Sequence, residues 1–188
     1  MTEKEKIYKI AFDHIAKFGI VDFSIKELAT VNNISITKIK KFFNTDREML
    51  YGFIQMINEN VLKEISSPNL EKTVTKDTLF EYIMVRFDKL LPYKEGLEKI
   101  YYELKKKPKL LNVISKKIYN FIESIFTLSG AKRNFIFDKI SINTLFLIYV
   151  YVFNIWLKDN TSEMSKTMSE LDFCLSRAEM VTKRINLF

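Results

Sequence analysis

The chain has 188 residues, 47% hydrophobic and 28% charged, enough for one good core or two small ones and too apolar for wholesale disorder. Four Gly and three Pro leave little punctuation for the turns of a sheet protein, so the fold class is expected to be all-α. The net charge is +7, but residues 1–50 are nearly balanced while residues 86–117 hold ten Lys/Arg against four Asp/Glu, so local placement says more about nucleic acid than bulk charge.

A single Cys excludes an intrachain disulfide framework and fits a reducing, cytoplasmic compartment. The charged start, Met1 to Lys6, shows no secretory signal. About nine helices are expected. The first covers about residues 3–18, where Ile7, Ile10, Ala11, Ile15 and Phe18 recur at helical spacing and Gly19 is a natural stop.

Residues 24–43 read as two short helices hinged at Asn32-Asn33. Ser24 is placed as an N-cap with Glu27 completing a capping box, and Ile25, Leu28 and Ala29 form an apolar face. Asn33 sits where the first of them stops, since Asn tolerates the left-handed conformation. Ser35 is placed to cap the second, which buries Ile36, Ile39 and Phe43 and turns Thr37, Lys38, Lys40 and Lys41 outward or to its margins. Helix, tight turn and second helix with a basic polar face is the geometry that fits a major groove. Lysines on such a face neutralise phosphates, and Thr37 is suited to a base edge, a thymine methyl or a phosphate.

A fourth helix is expected from Thr45 or Asp46 to about 65, stopped by Ser66-Ser67-Pro68-Asn69. Further helices are expected over about 75–91, 94–106, 108–128, 133–158 and 162–186, with Pro92 at a boundary and Pro108 in a first turn. Lys105-Lys106-Lys107-Pro108-Lys109 reads as a solvated helix end, where cations suit the dipole. The stretch from Ile140 to Leu157 has 18 residues without a charge, the length of a marginal membrane span. Ser141, Asn143, Thr144 and Asn154 interrupt it and the mean hydropathy of the chain is −0.06, so a helix buried on both sides, against its own core and a partner subunit, is expected instead, with no membrane insertion.

The N-terminal pattern resembles the DNA-binding domain of TetR-family transcriptional regulators. The resemblance rests on the apolar first helix ending at Gly19, Ser24-x-x-x-Leu28-Ala29, Ile34-Ser35, Ile39-x-x-Phe42-Phe43 and Glu48-Met49-Leu50. It departs at Asn33, where Gly is common, at Thr37 and Lys40, where small and aromatic residues are usual, and at Asp46, where Lys is frequent. It implies a helix-turn-helix domain at 1–46, a helical ligand-binding and dimerisation domain at 47–188, and a homodimer on a palindromic operator. The candidate DNA contacts are Ser24, Lys26, Ser35, Ile36, Thr37, Lys38, Lys40, Lys41, Phe42 and Arg47. Trp156-x-x-Asp159 and Thr167-Met168-x-x-Leu171-Asp172 are also similar to the last helices of a TetR-like ubiquinone-biosynthesis accessory protein, which implies an isoprenoid or other lipid ligand. The alternative function is therefore a lipid-binding accessory protein without operator binding.

The 16 Phe, 9 Tyr and 7 Met serve mostly as core, but helical bundles that enclose hydrophobic or amphipathic ligands use the same residue types. Candidate ligand contacts are Phe80, Met84, Phe87, Tyr101, Tyr102, Phe121, Phe146 and Tyr149, and candidate dimer contacts are Tyr149, Phe153, Trp156, Met168, Leu171 and Leu175. His14 reads as a partly buried packing residue and Cys174 as a buried thiol with Arg177 one turn on. No nucleophile motif, glycine-rich phosphate loop, metal-ligand spacing or cofactor signature is present, so the reading is a non-enzyme.

Overall fold

The helical spacings resolve into helices with identifiable caps. The computed structural model describes residues 1–21, 23–66, 75–130 and 135–185. Among them there are nine α-helices and no strand: α1 Glu3–Phe18, α2 Ile25–Val31, α3 Ile36–Lys40, α4 Asp46–Ile65, α5 Thr75–Leu90, α6 Lys94–Leu104, α7 Pro108–Leu128, α8 Phe135–Lys158 and α9 Ser165–Ile185. The chain is all-α, as its composition implies.

Local chemistry explains the boundaries. Thr2 and Glu5 close a reciprocal capping box on α1, and Gly19, at φ 84°, donates its N–H to the Ile15 carbonyl at 2.8 Å to end it. Pro108 opens α7, where a missing N–H costs nothing. Four expected spans shorten. The second helix expected within residues 24–43 stops at Lys40, so Phe43 lies beyond it. Pro92 lies in a 3-10 turn, Leu91–Tyr93, so α5 stops at Leu90. α6 ends at Leu104, two residues before the expected stop. α9 begins at Ser165 because Ser162–Met164 form a 3-10 turn in which Glu163 and Met164 take positive φ, 57° and 55°. The expected stop after Ser66 and the start of α8 at 133 fall at residues 67–74 and 131–134, outside the described set.

The chain packs as two compact units, residues 1–59 with 89–117 and residues 60–88 with 118–188. In the first unit the core is aromatic: Phe12 lies on Phe53 at 4.1 Å between ring centroids, and Tyr93 meets both at 5.4 and 4.8 Å. α6 runs against α1 closely enough that a Cβ on Gly96 would stand 2.5 Å from the Phe12 carbonyl oxygen. Burial pushes the Tyr8 and Tyr93 phenols up to about 12, so both stay neutral in that core. In the second unit α8 and α9 pack together, with Trp156, Leu171 and Val152 fully buried.

Candidate nucleic-acid interface

The turn between α2 and α3 depends on Asn33, which adopts φ 52°, a conformation Asn tolerates better than other side chains. Asn32 closes α2 by donating its Nδ2 to the Leu28 carbonyl at 2.9 Å. Ser24 caps α2 by accepting the Glu27 N–H at 3.1 Å. The other half of the expected capping box is not made, because the Glu27 carboxylate extends to within 3.9 Å of His14 Nε2. Ser35 occupies the cap position of α3 but makes no side-chain cap bond. Ile39 and Phe43 anchor the second helix at 0% and 1% exposure, whereas Ile36, expected on the buried side, is exposed.

The side chains of Lys26, Ser35, Ile36, Thr37, Lys38, Lys40, Lys41 and Arg47 are exposed, together with Ser24, and Phe42 is half-buried. Lys38 pairs with Glu3 of α1 at 3.3 Å, but both side chains are about half exposed, so the pair contributes little and leaves Lys38 available to a phosphate. Lys26, Lys40 and Lys41 have no carboxylate partner among the described residues.

Four of these residues share a concavity of about 500 Å³, lined by Phe23, Ser24, Ile25, Lys26, Ile36, Lys40, Asn44, Thr45 and Asp46. The α4 end of it carries its own cap. Thr45 Oγ1 accepts the Glu48 N–H at 3.1 Å, and the Glu48 carboxylate reaches back to the Asn44 N–H at 2.8 Å. Asn44 escapes a search for basic residues; the pattern Asn44-Thr45-x-x-Glu48 is the signal that places it. Asp46 belongs to the same lining as Lys26 and Lys40, and its carboxylate accepts the Arg47 N–H at 2.8 Å. His14, behind this surface, is fully buried beside the rings of Phe18 and Phe23, and its Nδ1 meets no hydrogen-bond partner among the described residues.

The candidate ligand contacts do not form one lining. Tyr101 and Tyr102 belong to the first unit and Tyr102 is exposed, while the others belong to the second. There, Phe87 stacks on Tyr149 at 5.6 Å and on Trp156 at 5.5 Å, and Phe121 is covered by the Arg86 guanidinium at 4.2 Å. Arg86 is 2% exposed and donates its Nε–H to the Tyr149 hydroxyl at 2.8 Å. It lies on the stripe Leu79, Tyr82, Ile83, Phe87 and Leu90, so helical spacing alone could have found it. Phe80, Met84 and Phe146 are half-buried.

Four of the candidate dimer contacts, Tyr149, Trp156, Leu171 and Leu175, face the interior of their own unit, and Phe153 stacks on Trp156 at 5.5 Å. The outer apolar surface is made by Ile140, Leu147 and Tyr151 on α8 and by Met168, Phe173 and Met180 on α9. The residues similar to the lipid-binding accessory protein have a structural use here. Asp159 Oδ2 accepts the N–H and the hydroxyl of Thr167, Oδ1 accepts those of Thr161, and Trp156 Nε1–H points to the Met164 sulfur at 3.2 Å. Burial raises the Asp159 carboxyl, but these four hydrogen bonds together outweigh it and hold the group well below the usual carboxylate range. Cys174 is half-buried, and burial followed by the Glu170 charge pushes its thiol up, away from thiolate chemistry, while Arg177 lies over the Phe173 ring instead.

No family model and no curated protein matches the sequence. Solved structures do match the fold. The TetR transcriptional regulator from Nitrosomonas europaea superposes with a TM-score of 0.80 at 16% identity, covering 96% of this chain and 99% of that one. A protein from Syntrophomonas wolfei assigned to the TetR family of transcriptional regulators gives 0.68 at 14% identity, covering 95% and 94%. The chain therefore has the fold of TetR-type regulators, an N-terminal helix-turn-helix followed by a helical bundle.

Proposed function

We propose that the chain is a homodimeric transcriptional regulator that reads a palindromic operator through α3 and releases it on binding a hydrophobic or amphipathic ligand. The observation that carries this reading is the left-handed Asn33 turn, which presents a short helix with Thr37, Lys38 and Lys40 exposed on its outside and Ile39 buried beneath. In this reading residues 1–46 form the DNA-reading part and residues 47–188 the regulatory part, repression is the default activity, and the protein works in the cytoplasm without catalysis. Ligand entry among the rings around Phe87 and Phe121 would shift the population toward a form unfit for DNA.

The dimer is assigned to the outer faces of α8 and α9. Leu147 is 66% exposed and Phe173 56%, an apolar surface that a second copy would cover. α8 is, among the described residues, the one helix long and apolar enough to cross a membrane; a third of its apolar window is buried in its own unit, and pairing would cover more. Light scattering should give twice the 22.3 kDa chain mass, and Leu147→Asp should return it to one. A wild-type monomer at micromolar concentration would end the palindromic reading. Selection from random duplexes should enrich an inverted repeat. Replacing Lys38, Lys40 and Lys41 together with Ala should weaken binding to it by about 10²-fold and flatten its salt dependence by about three units of slope. Undiminished binding by that variant would remove α3 from the interface.

A further inference from the structure

The net charge of +7 belongs to one of the two units. Residues 1–59 with 89–117 hold 18 Lys/Arg against 11 Asp/Glu, and residues 60–88 with 118–188 hold 12 of each. Within the charged unit the excess is not on the helix-turn-helix. Residues 1–59 carry nine Lys/Arg against eight Asp/Glu, and residues 89–117 carry nine against three. A recognition segment this close to neutral supplies little long-range attraction for a polyanion, since non-specific affinity scales with the phosphates neutralised.

The missing attraction is available on α6, the turn after it and the start of α7. Lys99, Lys105, Lys106, Lys107, Lys109 and Lys116 are all exposed. Lys106 is paired with Glu103 at 2.7 Å, and Lys105 lies over the Tyr101 ring at 4.4 Å. Lys99, Lys107, Lys109 and Lys116 have no carboxylate partner among the described residues. Lys109 and Lys116 stand two turns apart on one face of α7, about 10 Å along its axis. A cap at a helix end accounts for one or two such cations; it does not account for Lys116, well inside the helix.

We propose that this surface is a second DNA contact, binding the phosphate backbone of duplex that flanks the segment read by α3. The proposal rests on the DNA-binding reading above. Membership of the same compact unit as α3 favours duplex DNA as the occupant. An anionic bilayer is the weaker fit, because Tyr102 and Val113 are the exposed large apolar side chains among these lysines, too little to insert at an interface.

The test uses the full chain, the variant Lys107→Gln/Lys109→Gln/Lys116→Gln, and two duplexes. One duplex spans the selected site alone and the other adds about one helical turn on each side. On the longer duplex the variant should lose about two to three units of salt slope and bind at least tenfold more weakly at low salt, while on the short duplex it stays within twofold of wild type. Equal slopes and affinities on both duplexes overturn the proposal. The matching Lys→Arg variant keeps the charge and should keep the wild-type slope; its losing the slope also overturns it. If selection enriches no sequence, the operator reading fails by itself. A long duplex of random sequence then decides the cationic surface by the same comparison of variant and wild type. Capture of wild type, but not the Gln variant, by phosphatidylcholine vesicles containing phosphatidylglycerol, with duplex binding unchanged, would assign the surface to a membrane and overturn the DNA contact.

Discussion

The two units use their polar groups in opposite ways. In the unit made of residues 1–59 and 89–117 the charge is outside and unbalanced, over an interior of Tyr8, Phe12, Phe43, Phe53 and Tyr93. In the unit made of residues 60–88 and 118–188 the charge balances, and the polar groups with the most consequence lie inside: Arg86 against Phe121 and Tyr149, and Asp159 with Thr167. Buried polar groups with full hydrogen bonding specify the shape of the chain itself. Exposed cations without a partner contribute almost nothing to that shape.

The sharpest way to break this contrast is at Asp159. Asp159→Asn puts an amide donor against the donors of Thr161 or Thr167, and should cost about 3 kcal/mol of stability in urea unfolding. The carboxyl is held below its ordinary range in the folded chain, so its contribution is present above the unfolded value near pH 4 and is lost as pH falls below about 4. Wild type should lose stability in that window and the Asn variant should lack this component. DNA affinity of the folded variant should stay within twofold. A stability change under about 1 kcal/mol would make the Asp159 network decorative.

The next effect lies in the charged unit but is not electrostatic. Gly96→Ala forces the Phe12 carbonyl away from α6 and disturbs the rings of Phe12, Phe53 and Tyr93, at about 2 kcal/mol by urea unfolding. A loss below about 0.5 kcal/mol would show that α6 shifts freely along α1.

These two residues also mark where sequence reading reaches and where it stops. Periodicity and caps located the helices, since the signals at Gly19, Asn33, Thr45 and Pro108 are local and act on adjacent backbone. Periodicity placed Ile39 and Phe43 inside and the lysines of α3 outside for the same reason, but it placed Ile36 inside too, and that side chain is exposed. It failed on α8, which is apolar around most of its circumference, so no spacing says that Trp156 turns in and Leu147 turns out. Gly96 was silent because its role is set by a contact with Phe12, 84 positions away in sequence. Asp159 was visible only as part of a resemblance; the break before α9 that it caps depends on positive φ at Glu163 and Met164, which neither residue type announces.

The smallest predicted effect bears most directly on the contrast, because one residue sits both at a helix N-terminus and in the lining that holds Lys26 and Lys40. Asp46 sits in the first turn of α4, where a carboxylate favours the helix N-terminus by about 0.3–1 kcal/mol, and it accepts the Arg47 N–H. It also lines the concavity that holds Lys26 and Lys40, where a phosphate would meet its negative charge. If that concavity receives the DNA backbone, Asp46→Asn should lower stability by a few tenths of a kcal/mol while tightening operator binding by about three- to tenfold. Asp46→Lys, the residue frequent at this position in the family the N-terminus resembles, should tighten it further and steepen the salt slope by about one unit. Paired urea titrations and fluorescence anisotropy at two salt concentrations separate the two roles. Lower stability with unchanged affinity would leave Asp46 as a first-turn helix carboxylate and nothing more, and would move the phosphate contacts away from the concavity toward Thr37, Lys38 and Lys41. Opposite signs in the two measurements would place the boundary between self-directed and partner-directed polar chemistry on this single side chain.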